Sequence, residues 1–301
     1  MRPRVGPSVA IIGPGRVGQA LAKLLAGAGV RVDFVAARRV GRARRAQKFI
    51  GCGRVVTLTD PALARASVFV LTVADRALQP VAKQLADLLA RSLGVGRRSK
   101  LLAGRVFLHT CGSLDARVLK PLARLGGAVG SLHPFQTVPS AGQGAKNLLR
   151  TFWTTEGDPS ACRLARGWVR LLKGKIVRIR SDRKTLYHLS AFLVCPTLVA
   201  LMERATGFLE AVGAPTRVAR QMLGAFVRET VKNFVAFGGR RSLTGPASRG
   251  DWDVIRRHRQ ELRRRAPDLL PVYDSLLREI LHLAGKQPPP GIWKLSNKVV
   301  G

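Results

Sequence analysis

The pattern of hydrophobic and polar positions changes character once, near residue 180. Before that point short apolar runs alternate with amphipathic stretches. Ser8 to Ile12 is a run of the kind a strand buried on both faces requires, and Val30 to Ala36 is a second. Between them, Gln19 to Gly29 places Leu21, Leu24, Leu25 and Ala28 at helical spacing and ends on glycine, so residues 8–36 predict one βαβ unit. The same reasoning predicts strands at 67–73, 106–110, 128–131, 152–155 and 175–179, with helices at 78–93 and 159–172 between several of them. This alternation predicts an α/β fold, a Rossmann-type doubly wound parallel sheet with helices on both faces.

Beyond Ser181 the pattern is helical only. Segments 183–212, 215–237, 252–264 and 267–283 are separated by Gly213-Ala-Pro215, by 238–251 and by Ala266-Pro267. The most apolar stretch, Leu189 to Met202, is interrupted by Pro196 and closed by Glu203. It falls short of the roughly 20 residues a membrane helix needs, and so is expected to be a buried helix of a soluble domain. The final segment holds Pro288-Pro-Pro290 and reads as an extended tail. The expected organisation is a dinucleotide-binding domain at 1–180, an all-helical substrate and dimerisation domain at 181–285, and a C-terminal tail at 286–301.

The turn after the first strand is Gly13-Pro-Gly-Arg-Val-Gly18. A glycine loop of this spacing is a weak signal alone, but here it follows a predicted strand and opens a predicted helix. Gly13, Pro14, Gly15, Arg16, Val17 and Gly18 are therefore candidates to hold a dinucleotide diphosphate at the free N–H groups of a helix start. About 20 residues on, where an acidic residue would take ribose hydroxyls, the chain has Ala36-Ala37-Arg38-Arg39. Arg38 and Arg39 favour the 2′-phosphate of NADP(H) over NAD(H).

Charge adds one oddity. Lys and Arg number 52 against 17 Asp and Glu, a formal net charge of +35, with clusters at 38–48 and 256–265. There is little aromatic interleaving and no zinc-finger or RNA-binding signature, so non-specific, salt-sensitive attraction of nucleic acid is expected. Cys52, Cys111, Cys162 and Cys195 lie far apart, with no metal-ligand spacing and no disulfide framework. Residues 1–8 show no secretory pattern, and a cytoplasmic location is expected.

Several further elements occur in a fixed order. They are His109-Thr-Cys-Gly-Ser-Leu114, Gly130-Ser-Leu-His-Pro-Phe-Gln-Thr137, Glu156-Gly-Asp158, Lys184-Thr-Leu-Tyr-His188 and the loop Leu243 to Asp251. Together with the glycine loop they give a chain that resembles, over nearly its whole length, a family of oxidoreductase-like proteins. These join a Rossmann-like domain to a helical domain of unknown function. They are distant relatives of phosphogluconate dehydrogenase, hydroxyacid dehydrogenase, ketopantoate reductase and pyrroline-carboxylate reductase. The resemblance implies a nucleotide cofactor and a helical domain like the C-terminal domain of phosphogluconate dehydrogenase. One departure is Cys195-Pro196, where the family pattern has Ser-Asn; the proline is expected to kink its helix.

Candidate chemistry is sparse. His133 follows a strand and can donate a proton or orient a substrate. Lys184 and His188, four residues apart, share a helix face, and the related dehydrogenases use a lysine here as acid or base. Ser113 follows a strand on the side where open sheets bind ligands. Arg249 is a candidate anion clamp, Asn233 a candidate substrate contact, and Asp251 a candidate cap for the next helix. These residues predict an NADP(H)-dependent oxidoreductase of a small, acidic substrate. The alternatives are a dinucleotide sensor without turnover and a basic nucleic-acid-associated protein.

Overall fold

The computed structural model describes residues 6–94 and 100–293. The chain divides into two compact units, the first running through Leu198 and the second starting at Val199.

The first unit contains β1 (Val9–Ile12), α1 (Arg16–Gly27), β2 (Val32–Ala36), α2 (Val40–Ile50), β3 (Arg54–Val56), β4 (Val68–Leu71) and α3 (Asp75–Ser92). It continues with β5 (Val106–His109), α4 (Lys120–Ala123), β6 (Ala128–Pro134), α5 (Ala141–Asn147), β7 (Phe152–Gly157), α6 (Pro159–Leu171), β8 (Lys175–Arg178) and α7 (Lys184–Val194). One sheet takes the order β3-β2-β1-β4-β5-β6-β7-β8. Successive residues of β1 serve opposite faces: Val9 and Ile11 join Leu21, Leu25 and Trp153 in one core, while Ala10 and Ile12 join Leu78, Leu85 and Phe107 in the other. That two-sided burial is why β1 reads as an unbroken apolar run.

The sheet order reverses between β1 and β4, which leaves a crevice outside the strands' C-terminal ends at that point. The fold is thus the expected Rossmann type, with one correction. β7 pairs antiparallel with β6, so the sheet is mixed. The link from Pro134 to Phe152 carries only the short α5, and Phe135 N–H donates to the Phe152 carbonyl, so the chain turns back beside β6 without crossing the sheet. The missed helix α2 buries Ala43, Ala46 and Ile50 beneath the basic cluster and stops at Gly51, in the left-handed region at φ 90°. The missed strand β3 has three residues.

The expected helix over 183–212 is broken. α7 ends at Cys195 (φ −109°, ψ −77°), and α8 (Pro196–Ala211) follows. α7 belongs to the first unit, beyond the residue 180 expected for the domain boundary.

The second unit holds the remainder of α8, then α9 (Thr216–Ser242), α10 (Pro246–Arg249), α11 (Trp252–Arg265) and α12 (Leu270–Ala284). The described part of the tail is not extended. Ile292 is buried with Ala247, Ile255, Leu277 and Leu281, and Arg259, paired with Asp274, donates to the carbonyls of Ile292 and Trp293. The apolar pair after the prolines docks the segment. A second correction concerns Ser181–Ala211: by length and composition it could cross a membrane, and none of its most apolar window is buried.

Candidate functional site

The glycine loop meets the end of β4. Gly13 is at φ 69°, and a Cβ there would fall 2.1 Å from Cγ1 of Val73. A Cβ on Gly18 would fall 2.1 Å from Oγ1 of Thr72, whose hydroxyl donates to the Gly13 carbonyl at 2.9 Å. α1 therefore lies against β4 at a separation only glycine permits. Gly15 is the N-cap and offers no side-chain cap; no acidic residue occupies the first turn. The N–H groups at this helix start remain available for an anion, and the positive end of the helix dipole adds to their pull. Pro14 is tied in by its carbonyl, which accepts from Gln19 at 3.0 Å. Arg16 is exposed, Val17 half-buried. Arg38 and Arg39 are exposed beyond β2, Arg39 being the N-cap of α2; among the described residues neither makes a salt bridge. The loop and the uncapped helix start fit the diphosphate of a dinucleotide.

Beside this loop, the C-terminal ends of β4, β5 and β6 and one face of α7 assemble a polar cluster. His133, half-buried at the end of β6, has Nδ1 2.6 Å from the Tyr187 hydroxyl. Tyr187 and His188 stand three and four residues after Lys184, on the same helix face. The two imidazoles close over Gly112: a Cβ there would lie 2.7 Å from Nε2 of His133 and 2.8 Å from Cδ2 of His188. Burial, then the charges of Lys184 and His188, push His133 down to about 4, so its ring is neutral at physiological pH. Burial raises the Tyr187 phenol.

Ser113 follows β5 and donates to Oδ2 of Asp75 at 2.8 Å, at the first turn of α3. Burial opposes the charge on Asp75, but hydrogen bonds from Ser113 and Cys111, with His188 and His109 near, hold its carboxyl below the usual range. Cys111 accepts the N–H groups of Ser113 and Leu114 at 3.3 Å, and burial raises its thiol. It is a structural acceptor for the turn.

Lys184, the expected acid, is buried in an ion pair. Its Nζ donates to Oε1 of Glu156 at 3.0 Å, and their side chains are 2% and 1% exposed. The second carboxylate oxygen accepts from Ser181 at 2.8 Å and from the Ala116 N–H at 3.3 Å. Burial lowers Lys184 in spite of the attraction of Glu156. Burial also opposes the charge of Glu156, yet Lys184 and its hydroxyl donors hold that carboxyl below its usual value. The expected acid of α7 is thereby enclosed, and its neighbour Tyr187 takes the accessible position.

Asn233, half-buried on α9, and Arg249 belong to the second unit. Arg249 donates to Asp251 at 3.0 Å, so the expected anion clamp is paired and Asp251 makes no cap bond to α11.

Three residues of the cluster were given no role from the sequence, although two of them stand in motifs quoted above. Tyr187 lay in plain view at the spacing that joined Lys184 to His188. Asp75 follows a strand end as Ser113 does, which was a sufficient signal. Glu156 stood in the element Glu156-Gly-Asp158, but its pairing with Lys184 depends on β7 running antiparallel.

Fold and cluster together define a Rossmann-like domain with a polar centre at the C-terminal ends of its strands, followed by a helical unit. Two domain families match: a Rossmann-like domain over residues 2–134 and the domain of unknown function DUF2520 over residues 151–280. The chain carries both matches, one after the other. No curated protein matches by sequence. Among solved structures, protein TM1727 from Thermotoga maritima superposes with a TM-score of 0.69 at 21% identity, covering 92% of this chain and 98% of that one. A protein described as an NADP oxidoreductase, BF3122 from Bacteroides fragilis, gives 0.71 at 21%, with the same coverage. An imine reductase from Myxococcus stipitatus, in complex with NADP+, gives 0.64 at 16%, covering 92% and 94%.

Proposed function

We propose that the chain is an NADP(H)-dependent oxidoreductase whose reaction centre lies over Gly112. The observation that carries this reading is the glycine loop pressed against Thr72 and Val73, with the uncapped start of α1 beside it. The free N–H groups there hold the diphosphate, and Arg38 and Arg39 take the 2′-phosphate. BF3122, described as an NADP oxidoreductase, and the imine reductase in complex with NADP+ support the same cofactor. A bound nicotinamide supplies or removes a hydride equivalent. The chain's own part is acid–base: Tyr187 gives a proton to the heteroatom of the reduced group, and neutral His133, its Nδ1 in contact with that hydroxyl, relays one back, taking a proton from water at Nε2 as it passes one from Nδ1. Ser113 and Asp75, hydrogen-bonded to each other, orient the substrate.

The test is loss of dihydronicotinamide absorbance with a panel of carbonyl and imine substrates. Turnover that disappears in Tyr187→Phe supports the enzyme. Tight cofactor binding without turnover across the panel supports a dinucleotide sensor, the alternative favoured by the broken helix at Cys195 and Pro196.

We further propose that a second copy of the chain covers the second unit. Val199, Val212, Phe226 and Val235 are 64%, 80%, 72% and 78% exposed. So many exposed large apolar side chains in one unit mark an interaction site, and homodimer interfaces are the most apolar class. Charged pairs interleave with it, Arg220 with Glu203 and Arg204 with Asp268, which suits a protein partner better than a bilayer. Nucleic acid is held only through its phosphates, by the exposed basic residues of α2 and α11.

A further inference from the structure

The basic residues of α2 differ from those of the other helices in having no carboxylate beside them. α9 and α11 carry counter-charges of their own: Lys232 pairs with Glu229, Arg256 with Asp253, and Arg264 and Arg265 with Glu261. Between Asp33 and Asp60 the chain holds no acidic residue. Within that interval Arg38, Arg39, Arg42, Arg44, Arg45 and Lys48 are exposed, and among the described residues none of them makes a salt bridge. On α2 itself, Arg42, Arg44, Arg45 and Lys48 share the face opposite the buried Ala43, Ala46 and Ile50. Arg44 and Lys48 therefore repel at i,i+4, and Arg42 and Arg45 at i,i+3. No acidic residue in the first turn meets the positive helix end. Lys23 adds a cation at the far end, its Nζ donating to the Phe49 carbonyl at 3.0 Å. One 2′-phosphate does not offset so many charges, whereas a row of phosphates does.

We infer that α2 is a docking surface for a nucleic-acid duplex, gripped along its phosphate backbone, and that duplex and NADP(H) exclude one another at Arg38 and Arg39. The exclusion rests on the NADP(H) reading above; the surface itself does not. α2 runs about 16 Å at about 1.5 Å per residue, and a duplex presents about one charge per 1.7 Å of its axis, so every cation of the face meets a phosphate. The aromatic ring of α2, Phe49, is half-buried against the core, which leaves no platform for an unpaired base and disfavours a single strand. Val40 is the one large apolar residue that α2 exposes, too little to enter a bilayer. Arg38 and Arg39 cannot serve the 2′-phosphate and the strand at once, and two phosphates brought to the same guanidinium repel each other. The coupling is reciprocal: bound duplex weakens NADP(H) by the factor that NADP(H) weakens the duplex. Cofactor occupancy thereby governs whether the chain is held on nucleic acid.

The experiment is fluorescence anisotropy of the full chain with a labelled DNA duplex of about 20 base pairs and mixed sequence, from about 50 mM to about 200 mM salt. The triple change Arg42→Gln, Arg45→Gln, Lys48→Gln is expected to weaken the duplex while NADPH affinity is retained. It should also flatten the log–log salt dependence by about 2.7, at about 0.9 per lost contact. The matched change in α11, Arg256→Gln, Arg264→Gln, Arg265→Gln, is expected to alter that slope by clearly less. Saturating NADPH is expected to weaken the duplex at least about tenfold, and NADH, which lacks the 2′-phosphate, clearly less. An unchanged circular-dichroism melt shows that each variant is folded. Duplex affinity and slope unaltered by the α2 change overturn the surface, as does an equal loss from the α11 change. NADPH that binds and leaves duplex affinity unchanged overturns the exclusion alone. NADPH that does not bind at all removes the oxidoreductase reading and the exclusion with it, and the two triple changes still decide the surface.

Discussion

The Nζ of Lys184 lies 3.0 Å from Oε1 of Glu156, with both side chains buried, and this pair fixes how α7 meets the sheet. Glu156 sits on β7 and Lys184 at the first turn of α7, so the pair anchors the helix that carries Tyr187 and His188. Removing one member leaves a buried charge uncompensated. Lys184→Met is expected to destabilise the first unit by about 3–5 kcal/mol, and the double change Lys184→Met with Glu156→Gln by clearly less, as read by urea denaturation. A stable Lys184→Met protein with an altered pH–rate profile would return Lys184 to the role of acid.

Tyr187 is the proton donor in this account. Tyr187→Phe removes one hydroxyl from a partly enclosed position and leaves the glycine loop untouched. The expected result is a fall in kcat of about 10²–10⁴-fold with cofactor affinity retained, measured by steady-state kinetics and direct titration. An unchanged kcat would exclude the phenol.

Acid should destabilise the first unit through two histidines kept neutral. Burial, then Lys184, pushes His109 down to about 3, and burial pushes His133 down to about 4. In the unfolded chain both titrate near the ordinary value of about 6.5. Between the two values the unfolded chain binds more protons than the folded one. Their contribution is therefore full above about pH 6.5 and is lost as pH falls towards 4. For His133 the whole window amounts to roughly 3 kcal/mol. Thermal melting between pH 7 and pH 4 should show the decline, and His133→Gln should flatten part of it.

What could be read from the sequence was what depends on neighbours in the chain. Gly13, Gly15 and Gly18 declare themselves by spacing, and β1 and β2 by apolar runs. His133, Ser113 and His188 were found and are brought together. Helix α2 was obscured because arginines outnumber its buried face of Ala43, Ala46 and Ile50. Glu156 acquires its partner only from the direction of β7, which periodicity does not encode, whereas Asp75 stood after a strand end as Ser113 does. Lys184 was identified, but its partner was not. That partner, Glu156, is what encloses Lys184.

The exposed apolar residues of α8 and α9 predict self-association. The wild-type chain is expected to sediment as a dimer, and Val235→Asp, at a position 78% exposed, to shift it towards monomer without loss of helix. A wild-type monomer in sedimentation equilibrium would contradict the second copy.

The central claim is that the glycine loop with Arg38 and Arg39 holds NADP(H), and calorimetric titration with NADPH and NADH tests it most directly. The account predicts that NADPH binds at least about tenfold more tightly than NADH, a difference of about 1.4 kcal/mol. It also predicts that Arg38→Ala with Arg39→Ala removes this preference while NADH affinity is kept. Binding of neither dinucleotide, or equal affinities that the double change leaves unaltered, would contradict it.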